Sequence, residues 1–395
     1  MQQFVCAVNR NRDGYQVPLA LHEAGLLDRL VTDFYRPDAV ARWLPPALRA
    51  RGTAGLPSSR TRSSPVNFAI QVATQLSLGD LSKVSRVIDP MLARHAGRVA
   101  ARRTAHLYCY AGYLPEERAI RPGTRRVVFQ YHPLPQLSLA VLRDDFGRYP
   151  QVRHSWEAEA SGRRNWPSEL SWQRADAVVC ASGMTRRSLE HAGCPPERIA
   201  VIPYGFEAPA DALTAPVAAP RRRCEFLFVG QGVQRKGLHH LIEAWQASDL
   251  ADARLTIASY WIDPGIAATI GSPSIRLLPR QSRDELDALY RSADVFVMPS
   301  LVEGFGLVYL EALARGCHLI GTENTGLPDL QLPAHAATVI AAGDVPGLAG
   351  ALARSRDAAL AGQLDRGAIR DAATAWRWAD FRRGIAEHAG HVLAT

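Results

Sequence analysis

The chain has 395 residues, more than one compact core usually holds, so length alone predicts roughly two to three domains. Its composition, 47% hydrophobic, 21% charged and 8% aromatic, is globular and excludes a mainly disordered, collagenous or coiled-coil chain. The net charge of +8 is local: residues 41–105 hold eleven basic side chains against Asp80 and Asp89 and carry +9, the remainder −1.

In chain order, short apolar runs alternate with helical patterns. Strands are predicted at Phe4–Val8, His106–Tyr110, Arg126–Tyr131, Ala177–Ala181 and Ile199–Ile202. After a break they resume at Glu225–Val229, Arg254–Ala258, Ile275–Leu278, Val295–Met298, His318–Gly321 and Ala337–Ile340. Helices are predicted at Val17–Arg29, Arg186–Ala192, Leu238–Ala247, Arg283–Arg291, Leu307–Ala314 and Pro346–Arg354. Alternation of this kind predicts parallel sheets covered on both faces, and eleven strands suit two sheets better than one. The break at 203–223 holds Pro203, Pro209, Pro216 and Pro220 among small residues and reads as an interdomain linker.

No run approaches the ~18–20 apolar residues that span a bilayer. The first residues lack a basic leader followed by a long apolar stretch. A cytoplasmic protein is expected. The six cysteines, at 6, 109, 180, 194, 224 and 317, are scattered in or beside apolar runs and read as buried reduced thiols. His239 and His240 are adjacent, point two ways on any regular element, and so predict no metal site.

Two constellations carry chemistry. In the first, strand Phe226–Val229 delivers the loop Gly230-Gln231-Gly232-Val233-Gln234-Arg235-Lys236-Gly237 to a helix. Backbone amides at a helix start favour anions and two adjacent cations add charge, which points to a phosphate or diphosphate. The P-loop pattern fails, because Leu238 follows Gly237 where Lys is required. The dinucleotide fingerprint fails too, because its third glycine position is Arg235 and the next strand lacks the acidic ribose partner. In the second, strand Val295–Met298 leads through Pro299 and Ser300 to Glu303-Gly304-Phe305-Gly306-Leu307 and a helix containing Glu311. Gly304 and Gly306 let backbone approach a ligand, and Glu303 and Glu311 suit hydroxyl groups on either side of a phosphate.

The pattern Pro-Ser-x-x-Glu-Gly-Phe-Gly-Leu-x-x-x-Glu-Ala at Pro299–Ala312 resembles the signature of the retaining nucleotide-sugar glycosyltransferases of family four. The Val-Gly…Arg-Lys-Gly run resembles the same family's diphosphate motif. Ala175–Val179 with Ser182, Val201–Gly205, Leu286-Tyr290-Ala293-Asp294 and Thr325-Gly326-Leu327-Pro328 are similar as well, so the resemblance covers roughly residues 170–350. It implies a GT-B fold of α/β class: two Rossmann-like, doubly wound parallel-sheet domains facing across a cleft. These would be an acceptor-binding domain, residues 1–205 with a final helix at about 377–395 crossing back, and a nucleotide-sugar domain, 206–376.

By motif position the resemblance implies that Arg235 and Lys236 hold the diphosphate, Glu303 the donor sugar and Glu311 the ribose. Gly304, Phe305, Gly306 and Leu307 would meet the phosphates or sugar, alongside Gly230. Many members have Arg where this chain has Gln231, and a Gly-x-Gly turn where it has Tyr260–Gly265, so no base reader is assigned. In the first half, Gly14 after the first strand is either a loop closing over the donor or an ordinary turn. His132, at the end of a predicted strand, is either a group near the sugar or a packed histidine.

The expected activity is a retaining, metal-independent hexosyltransferase with no cofactor beyond its donor. It would move sugar from a nucleotide diphosphate-sugar to a hydroxyl of a glycan or lipid-linked acceptor in bacterial cell-surface polysaccharide synthesis. The alternatives are an epimerase or phosphorylase on the same scaffold, or a silent nucleotide-sugar-binding scaffold protein. Residues 83–104 form a basic amphipathic helix that Pro90 should kink or divide. It reads either as a peripheral dock on an anionic membrane, at ~1 kcal/mol per charge, or as a solvated helix. Aromatics do not interleave with its arginines, so nucleic acid is not an expected partner.

Overall fold

The computed structural model describes residues 2–78, 82–163, 167–207 and 222–395. Its first sheet has seven strands: β1 Phe4–Ala7, β2 Leu27–Thr32, β3 Thr61–Ser63, β4 His106–Tyr110, β5 Arg126–Gln130, β6 Ala177–Cys180 and β7 Ile199–Val201, ordered 3-2-1-4-5-6-7. The second has six: β8 Cys224–Val229, β9 Ala253–Ala258, β10 Ile275–Leu278, β11 Val295–Met298, β12 His318–Thr322 and β13 Ala337–Ile340, ordered 10-9-8-11-12-13. Every pairing is parallel. These are the two α/β sheets that the alternation predicts.

Most residues of the central strands are buried because helices cover both faces. β1, β4, β6, β11 and β12 are buried at every position, whereas the edge strands β3, β10 and β13 are partly exposed. Strand order reverses at β1/β4 and at β8/β11, and in open parallel sheets a crevice forms at the carboxyl ends of such switch points. The loops following β8 and β11 therefore meet over one crevice.

The predicted helix Val17–Arg29 is a correction. The helix is Gln16–Glu23, and its end is set by Gly25 at φ 71°, with Gly25 N–H donating to His22 O and Leu26 N–H to Leu21 O. The chain then enters β2, which the sequence hides because Asp28 and Arg29 interrupt its apolar run. Asp28 is tolerated in the buried strand because Arg103 pairs with it. β3, three polar residues at an edge, also went unseen. Pro90 does not divide its helix, which runs unbroken from Ser82 to Arg103. The side chains of Lys83 and Arg86, and most of the Pro/Ala stretch at 203–223, lie outside the described residues.

All six cysteines are free and buried. The last helix, Trp378–Ala394, returns to the first lobe. Phe381 packs against Phe129 and Tyr204, and Arg382 donates to Glu23 at 2.8 Å and Gln16 at 2.9 Å. The returning chain passes so close that a Cβ at Gly205 would lie 2.2 Å from the carbonyl carbon of Arg377. Among the described residues, no helix is long and apolar enough to cross a membrane.

Candidate active site

The loop after β8 tightens into a turn at Gln234–Lys236 and enters the helix Leu238–Ala247 through Gly237, at φ 68°. Glycine is required there twice over: its backbone is left-handed, and a Cβ would lie 1.9 Å from Pro299 O. The loop after β11 lies directly on this turn, with Leu301 N–H donating to Arg235 O at 2.9 Å. Gly306, at φ 91°, then opens the short helix Leu307–Leu313.

This zipper brings three of the sequence-predicted residues together. Glu303 Oε2 accepts from Arg235 Nη1 at 2.8 Å and from Lys236 Nζ, and Oε1 accepts from Gly304 N–H at 3.0 Å. All three side chains are largely buried. Arg235 also pairs with Glu159 at 3.4 Å, reaching across to the first lobe. Burial alone would raise the Glu303 carboxyl, but Lys236 and Arg235 outweigh it and hold the group well below the usual carboxylate range. Burial also lowers Lys236, with Glu303 opposing and Arg235 reinforcing that direction. We take Glu303 as ionised between two cations, since the direct ion pairs are the dominant geometry.

His132 belongs to the same locus, on the first-lobe wall. It follows β5, and a Cβ at Gly304 would lie 3.2 Å from its Nδ1 and 2.4 Å from Tyr131 O, so Gly304 permits the two lobes to touch. Gly304 O accepts from Ser182 Oγ and from Thr185 Oγ1 at 3.4 Å. Nearby, Asp329 accepts from Gly183 N–H at 2.9 Å, and Arg187 donates to Glu323 O at 2.8 Å. Ser182 caps its helix by accepting from Thr185 N–H, so this contact surface is set by the local fold of the β6 crossover.

Other predicted residues stand apart. Phe305 is buried, with its ring edge-on to Tyr204 at 5.4 Å and against Gly326. Leu307 is the partly buried first residue of its helix. Gly230 directly follows β8, its N–H donating to Ala258 O. Glu311 does not join the Glu303 group. It accepts from Tyr290 OH at 2.9 Å and lines a cavity of about 850 Å³ with Arg283, Asp287, Arg291, Arg315 and Phe206. Gly14 sits at φ 70° in a turn braced by Asp13, which accepts from Gln16 N–H and Tyr110 OH. A Cβ at Gly14 would meet only the Gln16 amide within 4 Å.

Three features escaped the sequence reading. Arg12, solvent-accessible on the same turn, lays its guanidinium 4.0 Å over the Tyr131 ring, next to His132. Its signal was a cation two residues before Gly14. Glu159 carried no local pattern, because its partner is far along the chain. The third is a correction: His239 and His240 do not point two ways, but both bring Nε2 to the Asp145 carboxylate, at 3.0 and 2.8 Å. Their ring centroids are 4.0 Å apart, and Tyr149 packs edge-on against both. Periodicity on one helix cannot show a partner helix that draws both rings to one point.

Residues 212–360 match the family Glycosyl transferases group 1, and residues 86–208 match Glycosyltransferase Family 4. The chain is 32% identical over 236 residues to the glycogen synthase of Mycobacterium tuberculosis, covering 56% of each. It is 28% identical over 204 residues to a Salmonella typhimurium protein provisionally described as a colanic acid biosynthesis glycosyltransferase, covering 46% of this chain and 48% of that one. The chain thus spans about half the length of these curated relatives. The solved sucrose-phosphate synthase from Thermosynechococcus elongatus superposes over all of both chains with a TM-score of 0.65 at 18% identity, a likeness of fold alone.

Two Rossmann-like sheets meeting over a crevice, with a cationic glycine loop zipped to an acidic one, define a protein of the GT-B class. The chain belongs to the group 1 / family 4 glycosyltransferases.

Proposed function

We propose that this protein is a retaining hexosyltransferase that moves sugar from a nucleotide diphosphate-sugar to a hydroxyl of a glycan or lipid-linked acceptor in bacterial surface-polysaccharide synthesis. The observation that carries this reading is the convergence of Arg235 and Lys236 on Glu303, over the β8/β11 switch point and against His132. The relatives named above, with roles in glycogen and colanic acid synthesis, support the acceptor class.

The chemistry follows from charge. As the bond from the sugar's anomeric carbon to the diphosphate oxygen breaks, negative charge grows on the leaving diphosphate. Two cations fixed beforehand in a largely desolvated loop stabilise that charge more than water would. Arg235 and Lys236 then share their positive charge between the phosphate oxygens and Glu303, whose other role is to accept from a donor-sugar hydroxyl. The acceptor oxygen bonds the anomeric carbon on the face the diphosphate leaves, and its proton passes to a phosphate oxygen. The cations make a divalent ion at the donor unnecessary, and no resident cofactor is invoked. Glu311, with Tyr290 fixing one carboxylate oxygen, holds the ribose at the edge of its cavity. A cytoplasmic site of action follows from the cytoplasmic supply of nucleotide sugars, with basic residues 41–105 as the peripheral membrane dock.

The test is a panel of nucleotide sugars incubated with and without acceptor. Acceptor-dependent sugar transfer supports the reading, donor conversion without acceptor makes the chain an epimerase, and binding without turnover makes it a silent scaffold.

A further inference from the structure

The helix Leu238–Ala247 starts directly behind the Arg-Lys turn, and its first turn carries the histidine pair. Asp145 lies on the helix Pro135–Arg148 of the other lobe. The three side chains are only 1–2% exposed, and their ligand-capable atoms all lie within 4.8 Å of one another. His239 Nε2 makes a hydrogen bond to Asp145 Oδ2. His240 Nε2 lies 2.8 Å from Asp145 Oδ1, yet neither atom, nor the Nδ1 of either histidine, has a hydrogen-bond partner among the described residues. Gln234 donates to Asp145 Oδ2 at 2.8 Å and to Leu142 O at 2.7 Å, fixing the carboxylate's orientation. Native interiors rarely bury polar atoms unpaired, and here His240 Nε2 and Asp145 Oδ1 face each other.

We propose that Asp145, His239 and His240 bind a divalent transition-metal ion of the zinc type. Two imidazole nitrogens and one carboxylate oxygen form a donor set that suits borderline ions and is poor for the all-oxygen preference of magnesium or calcium. The ion satisfies His240 Nε2 and Asp145 Oδ1 together. Because its ligands come from both lobes, it ties the helix behind the diphosphate loop to the first lobe. It stands apart from the proposed chemistry at Lys236 and does not depend on that reading.

The experiment uses the full chain, stripped with a chelator and then dialysed against zinc or cobalt. One zinc per chain should remain by atomic emission, cobalt should give the visible d–d bands of a nitrogen-ligated site, and zinc should raise the melting temperature by roughly 2–5 °C. Asp145→Asn and His240→Ala, folded by circular dichroism, should lose the ion and the bands. A wild-type chain without cobalt bands or retained zinc overturns the proposal and leaves a hydrogen-bonded latch, and this holds whether or not the variants fold. Zinc held equally by wild type and variants also overturns it, since the ion then lies elsewhere.

Discussion

Arg235 donates to Glu303 at 2.8 Å, joining the loop after β8 to the loop after β11. Lys236 meets the same carboxylate oxygen, so one acid positions both cations before any ligand arrives. That arrangement gives each of the three residues a separable role.

Lys236→Ala should lower turnover by at least about a hundredfold, since a fixed cation at developing charge contributes on the order of 3 kcal/mol or more. Circular dichroism should stay native. Transfer assays at near wild-type rate would remove Lys236 from the chemistry.

Glu303→Gln should abolish transfer and destabilise the chain by about 2–4 kcal/mol, because two largely buried cations lose their shared partner. It should also change the response to acid. A carboxyl held below its ordinary value contributes stability that is full above its unfolded value of about 4.3 and is lost as pH falls further. Urea midpoints from pH 7 to pH 3 should fall less steeply for the variant than for wild type; parallel slopes would show that Glu303 is not held ionised by the fold.

Gly237→Ala should cost at least about 2–3 kcal/mol, because the new methyl meets Pro299 O and the residue must stay left-handed. Donor binding should weaken with it, as the turn carrying Arg235 and Lys236 shifts. Equilibrium unfolding measures the first effect and calorimetric titration with nucleoside diphosphates the second.

Glu311→Ala should raise the KM for the donor roughly 10- to 100-fold with a smaller change in kcat, the pattern of lost binding rather than lost chemistry. Tyr290→Phe, which removes the hydroxyl donating to Glu311, should move KM in the same direction by less. A kcat loss with KM unchanged would place Glu311 in the reaction instead.

Much of this architecture was legible in the chain. Buried parallel strands such as Val295–Met298 announce themselves as apolar runs, and glycines at 237, 304 and 306 mark the turns between them. The Arg-Lys and Glu-Gly pairings were readable as chemistry, and their meeting follows from two neighbouring strands, β8 and β11. What stayed hidden depended on distant partners. β2 contains an Asp whose burial makes sense only beside Arg103, and Arg12 gains meaning only over the ring of Tyr131. The separation of Glu311 from Glu303 was hidden for another reason. Eight residues across a loop and a helix turn fix neither which way each carboxylate points nor that Tyr290 would claim one of them.

The most direct measurement follows the anomeric proton by NMR while wild type and Lys236→Ala turn over an α-linked nucleotide sugar with an acceptor, in buffer with and without magnesium. The account predicts an α-linked product from wild type at a rate that magnesium does not change, and none from the variant. A β-linked product, or equal rates for the two proteins, would contradict it.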